Sequence, residues 1–226
     1  MIIFARAPVA GRVKTRLAPV LGAAGAARLQ MRLVENAVRT AREARCGPVE
    51  LHITRPHRLF SAFGVKTRLQ RGRDLGERMY RALRNALRRH RAAIVVGADV
   101  PALTPADLRR AARLLEGSAE VVLAPAEDGG YALIGARRIS LRLFTDVHWG
   151  SAEVLSQTLR NIGQAGLRYR LLRTVWDVDR PEDLARLRAR PISSASRRGR
   201  KENTRSADAP RPPAAPRNST SVPAPA

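Results

Sequence analysis

Phe4 to Pro19 reads FARAPVAGRVKTRLAP. A short apolar run, Met1 to Phe4, precedes it, and a long helical pattern follows. The stretch gathers Arg6, Arg12, Lys14 and Arg16 around one glycine, Gly11, between Pro8 and Pro19. A strand that ends in a cationic, Gly/Pro-punctuated loop and then enters a helix is how α/β chains build an anion pocket. Backbone N–H groups and the helix N-terminus face the ligand, and long basic side chains close over it. The stretch therefore predicts an α/β fold whose first loop holds the phosphates of a nucleotide.

Outward from this loop, strands and helices alternate. Met1 to about Ala7 is apolar on both faces, as in a central parallel strand. From Ala23 to Ala44, Leu29, Leu33, Ala37, Val38 and Ala41 share one helical stripe, while Arg28, Arg32, Arg39 and Arg42 point away. Gly47-Pro48 ends that helix. Val49 to Thr54 and Val65 to Gln70 read as extended. Asp74 with Glu77 forms a capping-box pattern for a helix reaching about His90. Ala92 to Gly97 (AAIVVG) is the cleanest buried strand. Thr104, Pro105 and Asp107 then start a helix that reaches about Glu116. Ala119 to Ala124 and Tyr131 to Gly135 are strands around the turn Asp128-Gly129-Gly130. Ser151 is placed to cap a helix from Ala152 to about Gly163. Leu167 to Leu172 and Val175 to Asp179 are extended, and Pro181-Glu182-Asp183 opens a last helix to about Leu187. The pattern predicts a three-layer α/β domain with a mostly parallel sheet and no internal repeats.

Composition sets the limits. The chain has 226 residues and a formal net charge of +23. Pro191 to Ala226 is rich in Ser, Arg, Ala and Pro, with Ile192 and Val222 as its large aliphatics. Such a segment buries too little apolar surface to offset its ordering entropy and is expected to be a disordered tail. It carries seven cations against Glu202 and Asp208, a contribution of +5, which leaves +18 on residues 1–190. Those arginines are spread over many helices, aromatics are few, and no nucleic-acid motif accompanies the charge. Nucleic acid is therefore not the expected partner. The single Cys46 forms no internal disulfide, and the Cys and His residues lack zinc spacing. No apolar run is long enough to span a membrane. Met1-Ile-Ile-Phe reads as a core strand, not an export signal, so a cytoplasmic location is expected.

In open parallel sheets, ligands gather beyond the carboxyl ends of the strands. Asp99 follows AAIVVG there, and because Thr104 already supplies the helix cap, Asp99 reads as a ligand for Mg²⁺ or Mn²⁺. Asp128-Gly129-Gly130-Tyr131 is either a plain Asp-Gly turn or a site of close backbone approach to a ligand. Asp177 and Asp179 share one face if their segment is a strand. The opening loop is not a Walker motif, since the required glycines are replaced by Pro8 and Val13. No G-x-G-x-x-G and no G-x-S-x-G is present, and no Cys/His pair is suited to covalent catalysis. Cations together with carboxylates that hold one divalent ion suit transfer at a nucleotide's phosphates. The residues leave open whether the incoming group is a phosphate or a hydroxyl that attacks a sugar carbon.

FARAPVAGRVKTRLAP, RGRDLGERM, GADVPALTPADL, LAPAEDGGYALIGA, HWGS and WDVDRPEDLARL occur in that order. Together, over Met1 to about Arg188, they resemble the bacterial glycosyltransferase-like family of the nucleotide-diphospho-sugar transferase (GT-A) superfamily. Some members of that family are assigned to arsenosugar biosynthesis. More distantly, the chain is similar to 2-phospholactate guanylyltransferase and molybdopterin-guanylyltransferase-type enzymes. The resemblance implies a Rossmann-like GT-A sheet and a donor that is a nucleotide sugar or a nucleoside triphosphate, with a small-molecule acceptor. Lys14, Thr15 and Arg16 match the family's KTR, and with Arg6 and Gly11 they would bind the nucleotide. Asp99 matches the strand-end aspartate. Pro101 stands where many GT-A enzymes have the second Asp of Asp-x-Asp, which leaves Asp179 as the second metal ligand. Asp128 is assigned to the acceptor or to general-base work, beside Gly129, Gly130 and Tyr131 at the substrate. Glycosyl transfer is the expected reaction, nucleotidyl transfer the alternative, and a non-catalytic nucleotide or nucleic-acid binder the third option.

Overall fold

The computed structural model describes residues 1–189, so the expectation for the 191–226 tail lies outside the described residues. In chain order the elements are β1 (Ile2–Ala5), α1 (Ala18–Ala44), β2 (Glu50–Ile53), β3 (Lys66–Leu69), α2 (Leu75–Leu87) and β4 (Ala93–Gly97). They continue with α3 (Pro105–Glu116), β5 (Val121–Pro125), β6 (Tyr131–Ala136), α4 (Val154–Gln164), β7 (Tyr169–Leu171) and α5 (Asp183–Ala189). The sheet order is β3-β2-β1-β4-β6-β5-β7. All pairs are parallel except those that β6 makes with β4 and β5, so β6 alone runs backwards.

Helices cover both faces, as the apolar run of each central strand requires. On one face Leu29, Leu33, Val38 and Ala41 of α1 pack with Leu108, Ala111 and Leu115 of α3. On the other, Met79 and Leu83 of α2 and Ile162 of α4 enclose Val95, Leu123 and Ile134. Leu33 and Leu83 are fully enclosed, and burying such a side chain contributes about 1.5–3 kcal/mol.

Local signals place the helices well. Thr104 and Asp107 form the reciprocal capping box, with Pro105 at the first helical position. Asp74 accepts from Glu77 N–H, but the Glu77 carboxylate reaches back to Arg73 N–H instead of Asp74. The first turn of α1 begins at Ala18, and Gly22 (φ 68°, ψ 160°) breaks it before the long helix that the sequence places from Ala23. Ser151 does not cap α4. Its hydroxyl accepts from Glu153 N–H in a turn that precedes the helix, which begins at Val154. Val175 to Asp179 is not a sheet strand either, since it makes one isolated bridge, Ala126 to Val175. No helix among the described residues is long and apolar enough to cross a membrane.

Candidate functional site

Strands β1, β4 and β5 run in the same direction, so the loops at their carboxyl ends meet along one edge of the sheet. The β1–α1 loop is anchored by Val13 and Leu17, both enclosed in the core. Between them Lys14 has φ 48° and ψ 44°, the left-handed region, which costs a non-glycine residue about 1–2 kcal/mol. Its side chain is only 5% exposed, whereas that of Arg16 is 66% exposed.

Lys14 turns inward onto two carboxylates. Its Nζ lies 3.0 Å from Asp99 Oδ2 and 4.0 Å from Asp179 Oδ1. Arg16 donates to Asp179 Oδ2 at 2.7 Å. The two acidic segments are joined through the backbone as well, because Val178 N–H donates to the Asp99 carbonyl at 3.0 Å. Upstream, Val175 N–H donates to Pro125 O and Glu127 N–H to Val175 O, which lays this segment along the end of β5.

The charges at this edge do not balance evenly. Burial pushes the Asp99 carboxyl up, but the Lys14 ammonium and its hydrogen bond, with Arg6 behind, hold it below the usual aspartate range. Asp177 goes the other way. It is pushed up to about 6, first by burial and then by the charges of Asp99 and Asp128, with Lys14 opposing and Asp179 adding. Asp99, Asp128, Asp177 and Asp179 thus share one electrostatic neighbourhood, although they come from three separate parts of the chain.

The remaining sequence-predicted residues divide. Arg6 is exposed; its charge reaches Asp99, and its carbonyl accepts from Gln30. Thr15 is exposed at the start of the short 3-10 turn Thr15–Leu17. Gly11 has φ 75° with open space where a Cβ would stand. Asp128 is exposed, and its Oδ1 accepts from Gly130 N–H at 2.9 Å, a side-chain-closed turn. Gly129 permits a close approach of this chain to itself: a Cβ there would lie 2.1 Å from the Ala152 carbonyl oxygen. The Gly129 carbonyl also accepts from Leu155 N–H at 2.9 Å, satisfying a free donor in the first turn of α4.

Tyr131 is half-buried at the start of β6. Its ring packs edge-on against Trp149 in the second apolar cluster. Its hydroxyl is enclosed near Thr158, and neither oxygen has a hydrogen-bond partner. Burial pushes the phenol well above its ordinary range. The Tyr131 ring thus packs within the second apolar cluster. Conversely, Asp177 belongs to the site electrostatically. The Asp-x-Asp spacing was its visible signal, while its burial was not legible.

A hard divalent ion fits the donor set. Two carboxylates already converge on one cationic point, and Mg²⁺ is typically held by one or two carboxylates plus substrate phosphates. Among the described residues no group of three or more His, Cys, Asp or Glu is arranged to hold a metal, so phosphate oxygens would have to complete the shell. A separate cleft of about 610 Å³ lies between Leu21 and Leu29 of α1 and Leu184 and Leu187 of α5, and none of these carboxylates lines it.

Known proteins share this architecture. A structure from Desulfovibrio desulfuricans G20, described as a "putative nucleotide-diphospho-sugar transferase", is 29% identical, with 88% of this chain and 90% of that chain covered and a TM-score of 0.77. CMP:2-keto-3-deoxy-manno-octonic acid synthetase complexed with CTP is similar in fold at 14% identity, with 83% and 95% covered and a TM-score of 0.57. A nucleotidyl transferase from Methanothermobacter is likewise similar in fold at 17% identity, with 84% and 95% covered and a TM-score of 0.55. No curated protein matches. The family whose sequence model matches residues 37–151 is described as "uncharacterized protein conserved in bacteria" (DUF2064), and the chain belongs to that family.

Proposed function

We propose that this chain is a transferase acting at the phosphates of a nucleotide-linked donor, with glycosyl transfer from a nucleotide sugar to a small acceptor as its reaction. The observation that carries the reading is the meeting of Lys14 and Arg16, from the loop after β1, with Asp99 and Asp179. Cations of the kind that suit phosphates and carboxylates of the kind that suit a metal thus meet at one point. The 29% identity to a structure described as a nucleotide-diphospho-sugar transferase supports the same reaction class.

Arg6, Lys14 and Arg16, with Thr15 and the Gly11 bend, bind the donor's phosphates. Asp99 and Asp179 hold Mg²⁺ or Mn²⁺. When bound, such an ion neutralises charge on the phosphates that leave. Asp128 keeps Oδ1 in its turn and has Oδ2 to accept the proton of the acceptor hydroxyl. Gly129 and Gly130 set that carboxylate's position.

A second reading is nucleotidyl transfer with release of pyrophosphate. The exposed Arg6, Arg12 and Arg16 around the same loop favour it, because a triphosphate brings more negative charge than a diphosphate sugar. Thermal unfolding against nucleotide sugars and nucleoside triphosphates, with and without Mn²⁺, tests both, since a ligand of the native state raises Tm. Product analysis with the stabilising donor then separates them. Pyrophosphate release would overturn the glycosyl reading, and no stabilisation by any nucleotide would overturn both.

A further inference from the structure

We propose that Lys14 is the resident cation of this site. Its ammonium holds the place between Asp99 and Asp179 that the divalent ion takes when the donor binds, so ion binding depends on the nucleotide. The inference rests on the transferase reading above.

Three observations support it. The first is the shared point: one ammonium touches Asp99 at 3.0 Å and stands 4.0 Å from Asp179. The second is the depth. Lys14 is 5% exposed, while the Asp99 and Asp179 side chains are 40% and 41% exposed. The ammonium is thus covered, and both carboxylates keep a face open to an incoming ion. The third is the loop. Lys14 sits in a left-handed backbone that a lysine rarely adopts, three residues after Gly11, whose φ of 75° comes with free space. A strained residue beside an unobstructed glycine can be moved out by a modest competing interaction.

The chemistry gives the direction. A lysine ammonium is a compact point charge on a flexible stem with three donors, suited to leave one anion for another. While it remains between the carboxylates, a divalent ion meets like charge at short range. A diphosphate entering beside Arg6 and Arg16 offers Lys14 a richer set of acceptors and frees Asp99 and Asp179. Ion and nucleotide then enter together, and their coupling is reciprocal.

The test uses the full chain and Mn²⁺ as probe, with free Mn²⁺ read by electron paramagnetic resonance. Wild type is compared with Lys14→Met and Lys14→Gln, two neutral variants of similar length, so that either folded variant suffices. Without nucleotide, the variants are expected to bind Mn²⁺ at least about 10-fold more tightly than wild type. Their Tm without metal should fall and be regained with Mn²⁺. In wild type, one of the four common nucleoside diphosphates should tighten Mn²⁺ by a similar factor. Equal Mn²⁺ affinity in wild type and variants, with the nucleotide effect intact, overturns the resident-cation proposal and leaves the transferase reading standing. Tighter Mn²⁺ in the variants without any nucleotide effect in wild type overturns the dependence on nucleotide, and with it the transferase reading. No Mn²⁺ binding in any arm overturns both.

Discussion

Lys14 and Asp99, 85 residues apart in the chain, meet at 3.0 Å between Nζ and Oδ2. The contact spans the ends of two adjacent parallel strands, β1 and β4, and so depends on the sheet order. Asp99 would otherwise be a half-buried carboxyl pushed toward neutrality. With the Lys14 ammonium against it, the group stays ionised and available to a harder cation.

Asp99→Asn keeps the shape of the side chain and removes its charge. It leaves Lys14, nearly buried, with Asp179 at 4.0 Å as its remaining carboxylate. A stability loss of about 1–3 kcal/mol is expected in urea unfolding, without loss of the folded state. Metal-dependent stabilisation by the nucleotide donor should disappear. Full retention of that stabilisation would remove Asp99 from the metal site.

Two of the three glycines assigned to the ligand, Gly129 and Gly11, behave differently. Gly129→Ala places a methyl group 2.1 Å from the Ala152 carbonyl oxygen at φ 87°, against backbone that cannot rotate away. It should cost about 3 kcal/mol or more and disturb the first turn of α4, visible as shifted amide resonances of residues 152–156. Gly11→Ala meets open space and should cost about 1–2 kcal/mol from its φ alone. Similar Tm losses for the two variants would contradict this division.

Tyr131→Phe tests the packing assignment. The phenol oxygen is buried without a partner, so its removal exposes no unpaired group except the Thr158 hydroxyl, which already lacks one. Stability should stay constant or rise by up to about 1 kcal/mol, and the double variant with Thr158→Val should not lose the gain. Donor affinity should not change. A drop in donor affinity without a drop in Tm would return Tyr131 to the substrate.

The loop after β1, the strand-end Asp99 and the Thr104–Asp107 cap were legible because each is written in adjacent residues. Periodicity also marked α1, including its effective start beyond Gly22. The insertion of β6 between β4 and β5 was not legible, since alternation of strands and helices does not say which strands are neighbours. The contact between Gly129 and Ala152 was not legible, because Ala152 reaches the glycine only through the packing of α4 against the β5–β6 turn. The charge state of Asp177 depends on three carboxylates distributed along the chain, and no local pattern encodes it.

Asp107 predicts how stability follows pH. Its carboxylate accepts from Thr104 N–H and hydroxyl and from Arg173 at 3.0 and 2.7 Å. Burial pushes its pKa up, but Arg173 and the Thr104 donors outweigh this and hold it below the ordinary 3.8. A depressed carboxyl contributes its stability above the unfolded pKa and loses it as pH falls through the folded one. Asp107→Asn should therefore be less stable than wild type by about 1.5–3 kcal/mol at pH 7, because charged acceptors of this kind make the stronger hydrogen bonds. The gap should hold down to about pH 4 and narrow below 3.8 as the wild-type carboxyl takes up its proton. Urea unfolding at pH 7, 5, 4 and 3 measures it. A gap that stays constant through pH 3 would show that the charge of Asp107, with the Arg173 and Thr104 donors that favour it, does not supply the stabilisation.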